Sequence, residues 1–322
     1  MQLAIVDRQG GRNLPLGVLF GIGAGALWGL VFLTPEMVRA FSPLQLTIGR
    51  YLAYGLISAT LIAPRWRMLQ QLGRREWLAL CWLSLAGNTL YYILLSSAVQ
   101  LGGIAMTSLV IGFIPVAVTI AGSRDEGAVS LRRLAPSLLF CSAGAICIGW
   151  QAIAIPTGSV GAQLIGLGCA IGALAAWSIY AINNSRWLVR LDHVTAHDWN
   201  LLIGIVTGAQ SLVLIPVSLM LDDSRHDVTA WAEFAAVSVG VAVFASILGS
   251  LLWNRMSRLL PLTLVGQMIL FETLFALIYC FLWERRGPTL LEAAAFALVV
   301  ASVLSCIGAH RGLSSADPAP AG

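Results

Sequence analysis

The sequence predicts an all-α membrane protein of ten transmembrane helices, arranged as two inverted five-helix repeats with both chain ends on the cytoplasmic side. Three observations predict it. The chain is 58% hydrophobic and only 11% charged, with mean hydropathy +0.84, whereas a soluble domain carries about 25% charged residues. Apolar runs recur along the whole chain at lengths near the roughly 20 residues a helix needs to cross a bilayer. The arginines cluster in alternate loops, as the positive-inside rule requires.

The first residues are polar and carry Arg8 and Arg12, so 1–15 reads as a cytoplasmic segment. The run at 16–33 has no small-residue cleavage site after it and is expected to stay as an uncleaved first helix. Further spans are expected at 43–63, 77–95, 104–121 and 134–152, giving a first repeat over 16–152. The second repeat, 153–309, is expected to hold spans at 162–183, 199–219, 234–253, 260–283 and 290–307. Turns are short, and a Ser-Pro step such as Ser42-Pro43 opens a helix. The tail 310–322 ends in SSADPAPAG and reads as disordered and cytoplasmic.

Arginine fixes the orientation, because the chain has 19 positive residues and no lysine. With the N-terminus inside, 14 arginines are cytoplasmic and Arg39, Arg225, Arg285 and Arg286 are outside, while Arg50 lies within a helix. The halves also echo one another. GIGAGALWG and GCAIGALAAW align Trp28 with Trp177 at an offset of 149, and FIPVAV lies opposite LFETLF at an offset of 157. An odd number of spans per half makes the repeat inverted, an architecture that recurs among secondary transporters. Small-xxx-small steps at Gly21-Gly25-Gly29, Gly168-Gly172 and Gly204-Gly208 are expected to let helices approach closely.

Polar side chains recur at helical spacing inside the spans. Ser84, Asn88, Tyr92 and Ser96 are four apart; Trp177, Tyr180 and Asn184 share a face; so do Ser246, Ser250, Trp253 and Asn254. Such faces must look inward, toward other helices or water. They are consistent with a central polar cavity walled by Trp28, Trp177, Tyr180 and Trp253, with Asn88, Tyr92 and Asn254 as hydrogen-bonding groups. Interhelical hydrogen bonding without a cavity explains the same stripes. Two charges stand apart. Glu272 sits in the middle of the ninth run, where a carboxylate costs about 2.5–3.5 kcal/mol on insertion scales. It is a candidate site for a proton or a substrate cation, or a structural hydrogen-bonded acid. Arg50, seven residues past Pro43, is a candidate anion contact, or a snorkelling or paired side chain.

Other chemistry is missing from the sequence. The six cysteines fall singly inside apolar runs without metal-ligand spacing, and the four histidines are scattered at helix ends. No Walker, nucleophile-elbow or GxGxxG motif is present. No metal, cofactor, nucleic-acid partner or enzyme activity is expected. The partners expected are the lipid bilayer, a small-molecule substrate and protons as a candidate coupling ion, in a monomer or homodimer.

GALWG at 25–29, SPLQLTIGR ending at Arg50, and the segment 271–304 beginning FETLFALIYCFLWERRGPT resemble the drug/metabolite transporter superfamily, and its EamA-type members in particular. The resemblance covers nearly the whole chain. It departs from the pattern at Glu272, which stands where such proteins carry a helix-nine proline; the first half keeps that residue as Pro115. The resemblance implies a multi-pass carrier of the bacterial inner membrane that works by alternating access and exports a small metabolite such as an aromatic or other neutral amino acid. Efflux of drugs or toxic compounds is the alternative. A non-transporting scaffold or receptor, or a channel, is a further alternative from a different class.

Overall fold

The computed structural model describes residues 3–66, 72–124, 129–154, 159–191, 194–221 and 226–314. Among them the regular structure is entirely helical. Eight helices are long and apolar enough to cross a membrane: α1 (Leu14–Met37), α2 (Pro43–Trp66), α3 (Arg74–Ile104), α6 (Val160–Arg190), α7 (Ala196–Leu221), α8 (Val228–Leu259), α9 (Leu262–Trp283) and α10 (Leu290–Ala309). Between α3 and α6 lie α4 (residues 105–122) and α5 (Leu131–Ala154). Eight of the ten expected spans fall on these eight helices, several of which outlast them, while the runs at 104–121 and 134–152 fall in α4 and α5, which are not among the eight. α6 and α8 continue through Asn184, Arg190, Asn254 and Arg258, which hydropathy excludes and helix geometry does not. At 1.5 Å per residue, a helix of 31 residues is about 46 Å long and projects past a hydrocarbon core of roughly 30 Å. At the chain ends, helix begins at Leu3 and runs on to Ser314, within the stretches read as an N-terminal segment and a disordered tail. The remainder of that tail lies outside the described residues.

Local sequence explains where helices start and bend. Ser42 caps α2 with a full capping box: its hydroxyl accepts from the Gln45 N–H, and the Gln45 side chain accepts from the Ser42 N–H. Thr195 and Asp198 form the matching start of α7, and Arg65 at the end of α2 reaches the Asp198 carboxylate at 2.7 Å. Gly103 ends α3 in a left-handed conformation (φ 83°) that only glycine adopts without strain. α4 is broken at Gly112 and Phe113 just ahead of Pro115, whose missing N–H suits the first turn of the helix that resumes there. α3 and α8 each contain a π-helical stretch, Leu85–Thr89 and Ala242–Gly249.

The helices pair as α2 with α7, α3 with α6, α5 with α10, α4 with α9, and α1 with both α8 and α9. Glycines set the closest approaches. A Cβ on Gly25 would lie 2.8 Å from the Glu272 N atom, and one on Gly29 would lie 2.9 Å from the Ala276 N atom, so α1 lies directly on the α9 backbone. Gly55 and Gly208 meet at the crossing of α2 and α7, where a Cβ on Gly208 would sit 2.8 Å from the Gly55 Cα. Gly168 has nothing within 4 Å. Gly208→Leu is therefore expected to lower stability by about 1–3 kcal/mol or more, the usual cost of overpacking, and Gly168→Leu to leave it unchanged. Thermal unfolding of both variants in the same detergent tests this; equal unfolding temperatures would remove the packing claim.

Polar groups tie the remaining interfaces. Gln267 donates to Thr119, and its Oε1 and the Ser137 carbonyl share the single proton of the Ser302 hydroxyl, at 3.1 and 2.7 Å, joining α4, α5, α9 and α10. The described arginines gather mostly at one end of the bundle. Arg65, Arg186, Arg190, Arg255 and Arg258 lie there with the α8–α9 turn, linked by the Arg65–Asp198 pair and by Arg258 donating to the Val194 carbonyl. At the other end, Arg39 pairs with Glu36 and Arg286 makes two 2.7 Å bonds to the Glu292 carboxylate.

Candidate functional site

A small cavity opens midway along the bundle, between α1, α2, α3, α6, α8 and α9. Each helix brings a side chain to it for a traceable reason. Trp28 and Trp177, the two tryptophans that the half-to-half alignment pairs, meet edge to face with centroids 5.6 Å apart. Trp253 closes against both, at 5.0 and 5.3 Å. Tyr180 adds a fourth ring on Trp177. The Trp28 indole N–H donates to the carbonyl of Ala245, within the π-helical stretch of α8. That stretch also accepts from the Asn200 side chain through the carbonyls of Ser246 and Ile247. A π-bulge misaligns carbonyls with the helix ladder, and here buried side chains take them up.

The cavity wall carries one guanidinium and one carboxyl side chain, from opposite halves of the chain. Arg50 is 6% exposed. Its Nε donates to the Ser246 hydroxyl at 3.0 Å, and its guanidinium lies over the rings of Tyr92 and Tyr51, 4.5 and 4.9 Å from their centroids. Its Nη1 is buried with no hydrogen-bond partner. Glu272 is 4% exposed and lines the same space. The structure changes its setting. The sequence places it in the middle of a continuous helix, but α9 breaks at Ile269 and restarts at Leu270, so Glu272 stands in a first turn. Its N–H bonds to the Ile269 carbonyl, and its side chain turns to the cavity. Arg50 and Glu272 form no direct ion pair with each other.

Of the nine residues singled out from the sequence, six line the cavity: Trp28, Arg50, Asn88, Trp177, Tyr180 and Glu272. Three stand behind it. Tyr92 is fully buried under Arg50, and Trp253 backs the tryptophan pair. Asn254 accepts from Asn184, which in turn accepts from the Trp199 indole. Tyr51, Tyr91 and Ser250 complete the wall. Tyr91, three residues past Asn88, shares its helix face and reaches the wall, while Tyr92 lies under Arg50.

The space enclosed is only about 20 Å³, little more than the roughly 10–15 Å³ that one water needs. It is far below the roughly 300–1,000 Å³ of ligand pockets. The site is thus contracted, with Trp253 on the basic-end side, seven residues or about 10 Å along α8 from Ser246. The arrangement can hold a small molecule bearing both charges, or exchange a proton at Glu272, once the rings part.

A family model described as the EamA-like transporter family matches residues 15–124 and 164–307. The inner membrane protein YtfF of Escherichia coli (strain K12) is 32% identical over 312 residues, covering 91% of this chain and 95% of that protein. A solved crystal structure matches 90% of this chain and 96% of its own with a TM-score of 0.67 at 18% identity, a likeness of fold alone.

Proposed function

The chain belongs to the EamA-like transporter family, and from that premise we propose that it is a secondary carrier exporting a small zwitterionic metabolite, such as an aromatic or other neutral amino acid. The observation that carries this is the pairing of Arg50 and Glu272 on one aromatic-walled cavity. Arg50 takes the solute carboxylate, and Glu272 takes its ammonium group or a coupling proton. Trp28, Trp177, Tyr180 and Tyr91 enclose the side chain, and Asn88 supplies a polar contact. Rigid aromatic walls with a few placed polar groups suit a small organic solute.

Alternating access follows from the halves. The chain is read as ten spans in two inverted five-helix repeats, a division supported by the two family matches, one in each half. Helix pairing supports it too, because exchanging the halves maps α3 on α6 into α8 on α1, and maps α2 on α7 onto itself. The side-chain-capped starts of α2 and α7, the π-helical stretches of α3 and α8, and the breaks in α4 and α9 fall at matched places. The basic end is taken as cytoplasmic, in a bacterial inner membrane, where the relative's own name places that protein. Cells producing the protein are expected to tolerate several-fold more of a toxic aromatic amino-acid analogue than cells without it. Unchanged tolerance across neutral and aromatic analogues would count against the assignment. Efflux of an aromatic cation is the second reading, favoured by the same rings beside Glu272; it predicts tolerance to cationic dyes that survives loss of Arg50.

A further inference from the structure

A second, larger space lies at the basic end, apart from the central cavity. It is a groove of about 370 Å³, lined from α6 by Ser185, Arg186, Val189 and Arg190 and from the α8–α9 turn by Ser257, Leu260, Pro261 and Leu262. That volume falls within the range of small-molecule sites. Among the described residues its wall carries two guanidinium groups and no carboxylate. Ser185 and Ser257, which line the groove, are only 5% and 3% exposed, and their hydroxyls are buried without a hydrogen-bond partner. A buried hydroxyl left unmatched costs stability unless something meets it, so two of them on one wall mark a place where a polar group docks.

The groove also connects to the chemistry of the centre. Ser185 follows Asn184, which is bonded to Asn254 on α8. Asn254 Nδ2 and Trp253 Nε1 are again buried without partners. Trp253 in turn packs on the Trp28–Trp177 pair of the central cavity. A row of unmatched donors therefore runs from the groove, between α6 and α8, to the aromatic rings.

We propose that this groove is an access site that captures an anionic oxygen group, a carboxylate or a phosphate, between Arg190 and the Ser185 and Ser257 hydroxyls. Charge-assisted bonds from guanidinium and hydroxyl donors suit either anion. A solute carboxylate held here stands at the foot of the donor row, ahead of the tryptophans. A phospholipid phosphate held here would anchor the mouth of the same groove.

The test uses the full-length native chain in nanodiscs of phosphatidylcholine. Arginine modification by phenylglyoxal is followed residue by residue by mass spectrometry, with millimolar benzoate as the carboxylate probe and benzamide as its neutral control. Benzoate is expected to slow modification of Arg190 about fivefold, as mass action gives when the probe stands a few times above its Kd, and benzamide to leave it unchanged. Ser185→Ala with Ser257→Ala should remove most of that protection. Nanodiscs of phosphatidylglycerol separate the sources: protection there without benzoate assigns the anion to the lipid, and protection by benzoate alone assigns it to a solute. Arg190 modified at one rate under all these conditions would overturn the site. Labelling needs no transport, so failure of the carrier assignment would leave this result unaffected.

Discussion

Glu272→Gln is expected to abolish uphill accumulation of substrate while leaving one-for-one exchange in place. The substitution keeps the size and hydrogen-bonding reach of the side chain and removes its ability to take up or release a proton. In the native chain the carboxylate stands in the first turn of the resumed α9, lines the cavity and is separated from bulk water by packed helices. On the proposed reading, a proton carried on Glu272 through the transport cycle would couple the solute to the proton gradient. With one proton per solute, a pH difference of one unit supports up to about tenfold accumulation, since a tenfold ratio corresponds to about 1.4 kcal/mol. In proteoliposomes the Gln variant should reach a ratio near one, and counterflow of labelled against unlabelled solute should proceed. Uphill transport at the native level in the variant would sink the coupling role. Loss of counterflow together with accumulation would instead place Glu272 in solute binding alone.

How far the sequence foretold this site depended on which signals are periodic. Hydropathy and arginine placement located the apolar runs, because each depends only on composition over a window. Trp28 and Trp177 were legible as a pair, because both follow small-residue stretches in the two halves, and their rings do meet. Tyr91 was passed over because four-residue spacing from Asn88 selects Tyr92, although three-residue spacing keeps Tyr91 on the same face. The break in α9 was hidden in another way. In α4 a proline announces the restart, but in α9 the chain reads LVGQMILFET with no proline to mark Ile269. The acid thereby stands in a first turn rather than in mid-helix. The groove at the basic end was illegible altogether. It is built from a helix tail and a turn that hydropathy assigns to the water side, and its two hydroxyls gain meaning only from being buried together.

Arg50→Met is expected to reduce transport of a carboxylate-bearing solute about 100-fold, the scale of losing one desolvated charged partner. Transport of the corresponding amide should change little. Arg50→Lys should fall between, because an ammonium group restores the charge but not the planar fork that grips a carboxylate. These outcomes follow from the side chain's present bonding. Its Nε is committed to Ser246 and its plane to the tyrosine rings, while Nη1 is buried with no protein partner. A purely structural arginine would affect acid and amide alike, so equal losses for the two solutes would overturn the anion role. Stability supplies an independent check. Removing Arg50 leaves the Glu272 carboxyl on the wall of a buried cavity without its neighbouring guanidinium, which is more costly than having neither group. The double variant Arg50→Met with Glu272→Gln should therefore unfold at a higher temperature than Arg50→Met alone. Such non-additivity is the signature of two groups that share one environment. Additive unfolding shifts would show instead that the cavity separates the two charges electrostatically, and that a solute bridging them meets two independent sites.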